Sequence, residues 1–78
     1  MEIKVGMYVR SLAGHDKDKV YVAVDVKDDF VYVADGKNKL LSNPKKKKIK
    51  HVQKINLFAG SYDTDEKISR ALDMYENR

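Results

Sequence analysis

The chain contains no cysteine, so neither a disulfide staple nor a thiolate metal site is available to it. That absence fits a reducing, intracellular compartment. No apolar stretch approaches the roughly 18 residues needed to span a bilayer. Met1-Glu2-Ile3-Lys4 lacks the apolar run of a signal peptide. The expectation is a soluble cytoplasmic protein with no membrane partner. Catalytic motifs are missing as well. There is no thiol nucleophile, no glycine-rich phosphate loop and no supported Ser-His-Asp constellation. The two histidines, His15 and His51, are too sparse and too differently placed for a metal site. Asp63-x-Asp65 is followed by neither the glycine nor the bidentate glutamate of a cation loop. Asp28-Asp29 reads as an ordinary turn. No enzyme activity, metal or cofactor is expected.

The most informative absence is of negative charge. Eight lysines lie between Gly36 and Ile55 with no acidic residue among them: Lys37, Lys39, Lys45, Lys46, Lys47, Lys48, Lys50 and Lys54. The net charge of +4 therefore hides a segregation. Residues 1–36 carry five basic and seven acidic side chains, and residues 62–78 carry three and five. A focused positive patch attracts phosphate backbones or acidic surfaces from a distance. Lysines neutralise phosphates as compact point charges without reading sequence, so the expected target is a polyanion, with RNA foremost. If about five phosphates are engaged, affinity falls roughly 10²-fold between 50 and 200 mM salt. The bland alternative is a solvated run that only aids solubility.

Seventy-eight residues make one domain with a modest core. Ile3, Val5, Met7 and Val9 recur at the period of a half-buried strand, which Gly6 interrupts as a bend or bulge. Gly14 supplies the positive φ of a tight turn before a polar loop, His15 to Lys19. Val20, Val22, Val24 and Val26 alternate with Tyr21, Ala23, Asp25 and Lys27, which places the valines on the core face of a second strand. After an Asp28-Asp29 turn, Phe30 to Ala34 forms a third strand with Val31 and Val33 inward and Phe30 and Tyr32 outward. Asp35-Gly36 is a hairpin signal, and Lys39 to Ser42 is expected to pair back as a fourth strand. Asn43-Pro44, with the only proline, stops it. A last strand is expected from Ile49 to Gln53.

Four consecutive lysines cannot all face outward from a regular strand, because side chains alternate faces and two would enter a barrel wall. Lys45 to Lys48 are therefore expected in a loop or on a protruding edge. Four to five short antiparallel strands with tight turns remove their exposed edges by closing into a small barrel. Asp63 and Glu66 read as the capping box of a C-terminal helix whose Ile68, Ala71, Leu72 and Tyr75 share one face. About 13 residues of helix are marginal alone, so that face must dock on the barrel, a partner or another copy. The expected organisation is mainly β, with a barrel over residues 1–56 and a connector plus amphipathic helix over 57–78 packed on it. Tyr8, Tyr21, Phe30 and Tyr32 are candidate base-stacking surfaces, although packing on the barrel is their commoner use.

The stretch from Gly6 to Val24, with Arg10, Ala13-Gly14 and His15-Asp16-Lys17-Asp18-Lys19 inside it, resembles a KOW motif: strand, glycine-containing loop, strand. Asn43-Pro44-Lys45 through His51-Val52-Gln53 resembles the tail of a bacterial branch of that family. The branch comprises KOW-domain RNA-binding proteins similar to a large-subunit ribosomal protein of archaea and eukaryotes. The two stretches span nearly all of residues 5–54, and the helix after Tyr62 lies outside the motif. The resemblance implies an SH3-like barrel and ribosomal RNA as ligand. It matches Gly14 to the key loop glycine and Ala13 to the small residue before it. It implies nucleic-acid contacts at Arg10, His15, Lys17 and Lys19. Where many members have a second glycine this chain has Asp18, which tolerates left-handed backbone better than most residues. The full set of expected RNA-binding residues is Arg10, His15, Lys17, Lys19, Lys37, Lys39, Lys45, Lys46, Lys47, Lys48, Lys50 and His51. The expected function is a non-catalytic RNA-binding module acting with the ribosome or other translation proteins. The alternative is a protein-interaction module of the transcription or translation machinery, with the acidic helix available for self-association.

Overall fold

The computed structural model describes residues 2–77. Five strands, β1 (Met7–Ser11), β2 (Val20–Lys27), β3 (Phe30–Ala34), β4 (Lys45–Lys48) and β5 (Val52–Phe58), precede one helix, α1 (Asp65–Glu76). All neighbours pair antiparallel in the order β4-β3-β2-β1-β5. The two edge strands are joined by a single 3-10 turn, Ile49–His51. In a flat sheet of this order β4 and β5 stand about 19 Å apart. Three linking residues span at most about 14 Å even when extended, and less in a helical turn. The sheet must therefore curl until its edges approach each other, and the result is a small barrel-like fold. No helix among the described residues is long and apolar enough to cross a membrane.

Strand β2 is buried on both faces over its first half, which the valine alternation did not suggest. Tyr21 and Ala23 fill the barrel interior with Ile3, Val9, Val31, Val33 and Val52. Val20 and Val22 face the other way, onto Tyr8, Ala34, Ala59 and the helix residues Ile68 and Leu72. The expected inward set is thus reversed at residues 20–23, because the docked helix supplies a second core that also wants β-branched side chains. A register shift between Ala23 and Asp25 then returns Val26 to the interior. Val31 and Val33 point inward as expected, and Phe30 and Tyr32 stand half-buried on the outer face.

Other boundaries move for local reasons. Gly6 turns the chain at φ +94, and the Met7 amide donates to the Lys4 carbonyl, so β1 begins only at Met7. Lys39 to Ser42 is not a strand. Leu40 makes one isolated bridge with Asn43, and the strand that pairs with β3 is Lys45–Lys48. The final strand starts at Val52, after the 3-10 turn, rather than at Ile49. The helix is capped by Thr64, whose hydroxyl accepts from the Lys67 amide at 3.2 Å, and not by Asp63. Position three after that cap is a lysine, so no capping box forms.

Ile68, Ala71, Leu72 and Tyr75 do share the docking face, and that face lies on the barrel. Tyr8 stacks at 4.8 Å on Tyr75 and donates its hydroxyl proton to the Ala71 carbonyl. The Leu41 amide donates to the Asp65 carboxylate at 2.8 Å. Gly36, at φ +76, lies directly beneath this helix start. A Cβ there would meet the Asp65 carbonyl and would stand 2.9 Å from the Ser69 amide. Those are backbone atoms and cannot swing aside. Gly36→Ala is expected to cost about 2–3 kcal/mol, from left-handed strain plus displacement of the helix. Urea denaturation monitored by circular dichroism measures the loss, and a value near zero would show the turn to be tolerant.

Candidate nucleic-acid interface

The four lysines of β4 form a regular edge strand, so the edge placement holds but the expectation that none would turn inward does not. Their side chains alternate. Lys45 and Lys47 turn inward, opposite Val33 and Val31, while Lys46 and Lys48 project outward, opposite Tyr32 and Phe30. The inward pair is tolerated because one carboxylate receives both. Lys45 Nζ lies 3.0 Å from Asp16 Oδ2, and Lys47 Nζ lies 3.1 Å from Asp16 Oδ1. The Lys47 side chain is only 9% exposed and that of Asp16 only 10%. Ser11 Oγ and Tyr21 Oη complete the shell, at 2.8 and 2.7 Å. Burial by itself raises the pKa of the Asp16 carboxyl. Hydrogen bonds from Tyr21, Lys45, Ser11 and Lys47 outweigh it and hold the group well below the usual carboxylate range. The Tyr21 hydroxyl is pushed up by burial, by its bond to Asp16 and by the charges of Asp16 and Asp35.

Asp16 belongs to the loop between β1 and β2, so this cluster fastens that loop to the edge strand. The loop itself closes with Gly14 at φ +88 and Asp18 at φ +73, the two positions where left-handed backbone was expected or tolerated. The Asp18 amide donates to the Ser11 carbonyl at 2.8 Å, and the Leu12 amide donates to the His51 carbonyl at 2.9 Å. The loop is thereby tied to β1, β4 and the 3-10 turn together. Ala13, Gly14, Phe30, Lys46, Lys47, Lys48 and His51 line one open groove. Asp29, Phe30, Lys48, Ile49 and Lys50 line a second. Phe30 and Lys48 belong to both, so they form the ridge between them. Segments some thirty residues apart in sequence converge here.

The expected site residues divide into groups. Lys46, Lys48 and His51 meet the Gly14 loop at the first groove, Lys50 lines the second, and His15 and Lys17 are exposed on that loop. None of these six forms an ion pair with a described residue. Arg10 is half-buried and donates to the Asp18 carbonyl at 3.4 Å. Lys19 is drawn off to Asp35 at 2.7 Å and, with Lys37, lines a cleft against α1. Lys37 stands 3.9 Å from Asp73, both exposed, and Lys39 belongs to the same Asp35 loop. Asp35 also accepts from the amides of Lys37, Asn38 and Lys39 at 2.8–2.9 Å. Burial raises the pKa of its carboxyl, but the Lys19 bond and the amides of Lys39 and Lys37 bring it down to about 2. Lys19, Lys45 and Lys47 are therefore neutralised within the molecule and do not form part of an outward ammonium ridge.

Asp16 matters here although nothing in its local sequence marks it, and Phe30 gains weight among the stacking candidates. Asp16 looked like one more polar loop residue. Its signal was indirect: a lysine run on a strand needs an inward anion. Phe30, expected on the outer face as a stacking candidate or as packing, lies outside both apolar cores. Lys46 Nζ sits 4.1 Å from its ring centroid, and Lys27 is its exposed neighbour on β2. Of the other aromatic candidates, Tyr8 and Tyr21 are buried and cannot stack on a base, whereas Tyr32 shares the outer face with Lys46. No family model and no curated protein matches the chain.

Proposed function

We propose that the chain is a non-catalytic RNA-binding module of the KOW type, cytoplasmic and ribosome-associated, with ribosomal RNA as its ligand. The reading rests on one observation above the rest. The Gly14 loop and the outward lysines of β4 converge with His51 on a single open groove, and the four outward or loop cations Lys17, Lys46, Lys48 and Lys50 have no carboxylate partner among the described residues. Long flexible stems carrying point charges suit phosphate oxygens and carry no base preference of their own. Asp16 supports the same reading, because it holds the loop and the cationic strand in fixed relative position.

Binding of a ribosomal RNA fragment, followed by fluorescence anisotropy between 50 and 200 mM salt, tests this. Four to five engaged phosphates give a loss of roughly 10²-fold over that range. Absence of a salt slope removes the proposal. So does a partner that stays bound after nuclease treatment while ribosomes fail to cosediment with the protein, since that result favours a protein-interaction module.

A further inference from the structure

We infer that Phe30 is a stacking platform for an unpaired nucleobase, so that the site takes single-stranded RNA in preference to duplex. The inference rests on the RNA-binding reading above and specifies its ligand. Phe30 opens β3 at the outer face, directly across from Lys48 on one side and Lys27 on the other. It is half-buried and contributes to neither apolar core. It lines both grooves, and every basic residue that lines them with it, except Lys47, lacks an ion pair with a described residue: Lys46, Lys48, Lys50 and His51. Asp29 is the one acidic lining residue.

An aromatic ring ringed by ammonium groups has two uses for a nucleic acid. The cations hold successive phosphates, and the ring face takes the base between them. Lys46, itself exposed, lies over the Phe30 ring at 4.1 Å, so a base takes that face by displacing one flexible side chain, which is then free for a phosphate. A base within a duplex keeps both faces stacked on its neighbours and cannot use such a ring. Sequence-tolerant recognition of RNA through stacking therefore targets loops, bulges and single strands. Phenylalanine carries no hydrogen-bonding group, so no strong base preference follows. Phosphate contacts alone would leave single strand and duplex poorly distinguished, and a purely structural Phe30 would affect stability and not binding.

The experiment compares three probes under one salt condition: a short labelled oligoribonucleotide, the same strand annealed to its complement, and the same strand with abasic sites at its centre. The wild-type protein is expected to bind the intact single strand about 5- to 100-fold more tightly than the abasic strand. Phe30→Leu keeps most of the apolar volume but removes the ring. It is expected to lose that same factor for the intact strand, with duplex binding and the salt slope unchanged. Equal affinity of the wild type for intact and abasic strands overturns the inference, as does wild-type affinity in Phe30→Leu. In either case salt-dependent binding that persists leaves the RNA-binding reading standing, whereas loss of all binding by the wild type removes both. Phe30→Trp gives a second readout, because the chain contains no other tryptophan. Its fluorescence is expected to be quenched by the intact strand and not by the abasic one. Failure of the intact strand to quench it also overturns the inference, even if Phe30→Leu does not fold.

Discussion

Replacing Asp16 with alanine is expected to lower the free energy of unfolding by about 3–5 kcal/mol at neutral pH, the cost of breaking a buried ion pair from one side. A chain of this size has only about 4–12 kcal/mol to lose, so Asp16→Ala should be marginally folded at best. The reason is geometric. Lys47 keeps its inward position opposite Val31, nearly sealed from solvent, and would be left with no counter-charge. The Tyr21 hydroxyl, which donates to Asp16 at 2.7 Å, would lose its acceptor inside the barrel end. A second substitution separates the causes. Lys47→Met in the Asp16→Ala background removes the orphaned ammonium and should recover about 1–2 kcal/mol, although each single change is destabilising. Urea titrations of the four proteins give the coupling directly. A loss below about 1 kcal/mol for Asp16→Ala would mean that Lys47 reaches water by another path and that the cluster does not hold the loop.

The same carboxylates set the acid limit of the fold. Asp16 and Asp35 are both held below their unfolded pKa, so their contribution is fully present above about pH 4 and is lost as pH falls through the folded values. For Asp35 that window runs from about 4 down to about 2. Its near-complete burial makes the contribution on the order of 2 kcal/mol. Wild-type stability should therefore be insensitive to these groups from pH 5 to 8 and decline steeply below 4. Asp16→Asn gives up its share already at neutral pH, so its profile below pH 4 should be flatter.

Much of this architecture could be read from residue pattern, and the failures have physical causes. The Gly14 loop is legible because glycine and aspartate declare left-handed backbone, and Gly14 and Asp18 both adopt it; the Asp35-Gly36 hairpin does not form, because only Gly36 takes positive φ and the Asp35 carboxylate instead gathers the following amides into a loop. The helix face is legible because its spacing is regular, whereas its docking on the barrel was one of three open possibilities that the packing of Ile68 and Leu72 decides. The assignment of Val20 and Val22 failed because period-two alternation reports two faces without saying which is more buried, and here a helix covers the second one. Lys39 to Ser42 was misread because apolar Leu40 and Leu41 resemble strand residues. Leu41 is in fact held by the helix side: it packs on that core and its amide bonds to Asp65. The lysine run does lie at an edge, but its inward pair escapes local pattern for the deepest reason. Excluding such a pair assumed that no anion waited inside, and Asp16 lies twenty-nine residues from Lys45 in the chain. Long-range charge pairing leaves no local periodicity to read.

That pairing predicts an inequality among chemically identical side chains. Changing Lys46, Lys48 and Lys50 to glutamine should weaken RNA binding by about two to three orders of magnitude near 0.1 M salt, and should lower the slope of log affinity against log salt by about 2–3. Each of these ammonium groups has no carboxylate partner among the described residues, so a phosphate that binds one displaces only counterions. Changing Lys45 to glutamine should cost little affinity. That ammonium stands 3.0 Å from Asp16, and a phosphate would have to compete with a carboxylate already in place. Lys47→Gln should show its effect in stability instead, because that side chain is almost wholly buried. A composition argument treats β4 as four equal charges and predicts equal losses at every position. The alternation of the strand predicts losses at residues 46 and 48 and not at 45. Equal salt slopes for Lys45→Gln and Lys48→Gln would show that RNA strips the lysines from Asp16, and that the in-and-out division of the strand does not govern binding.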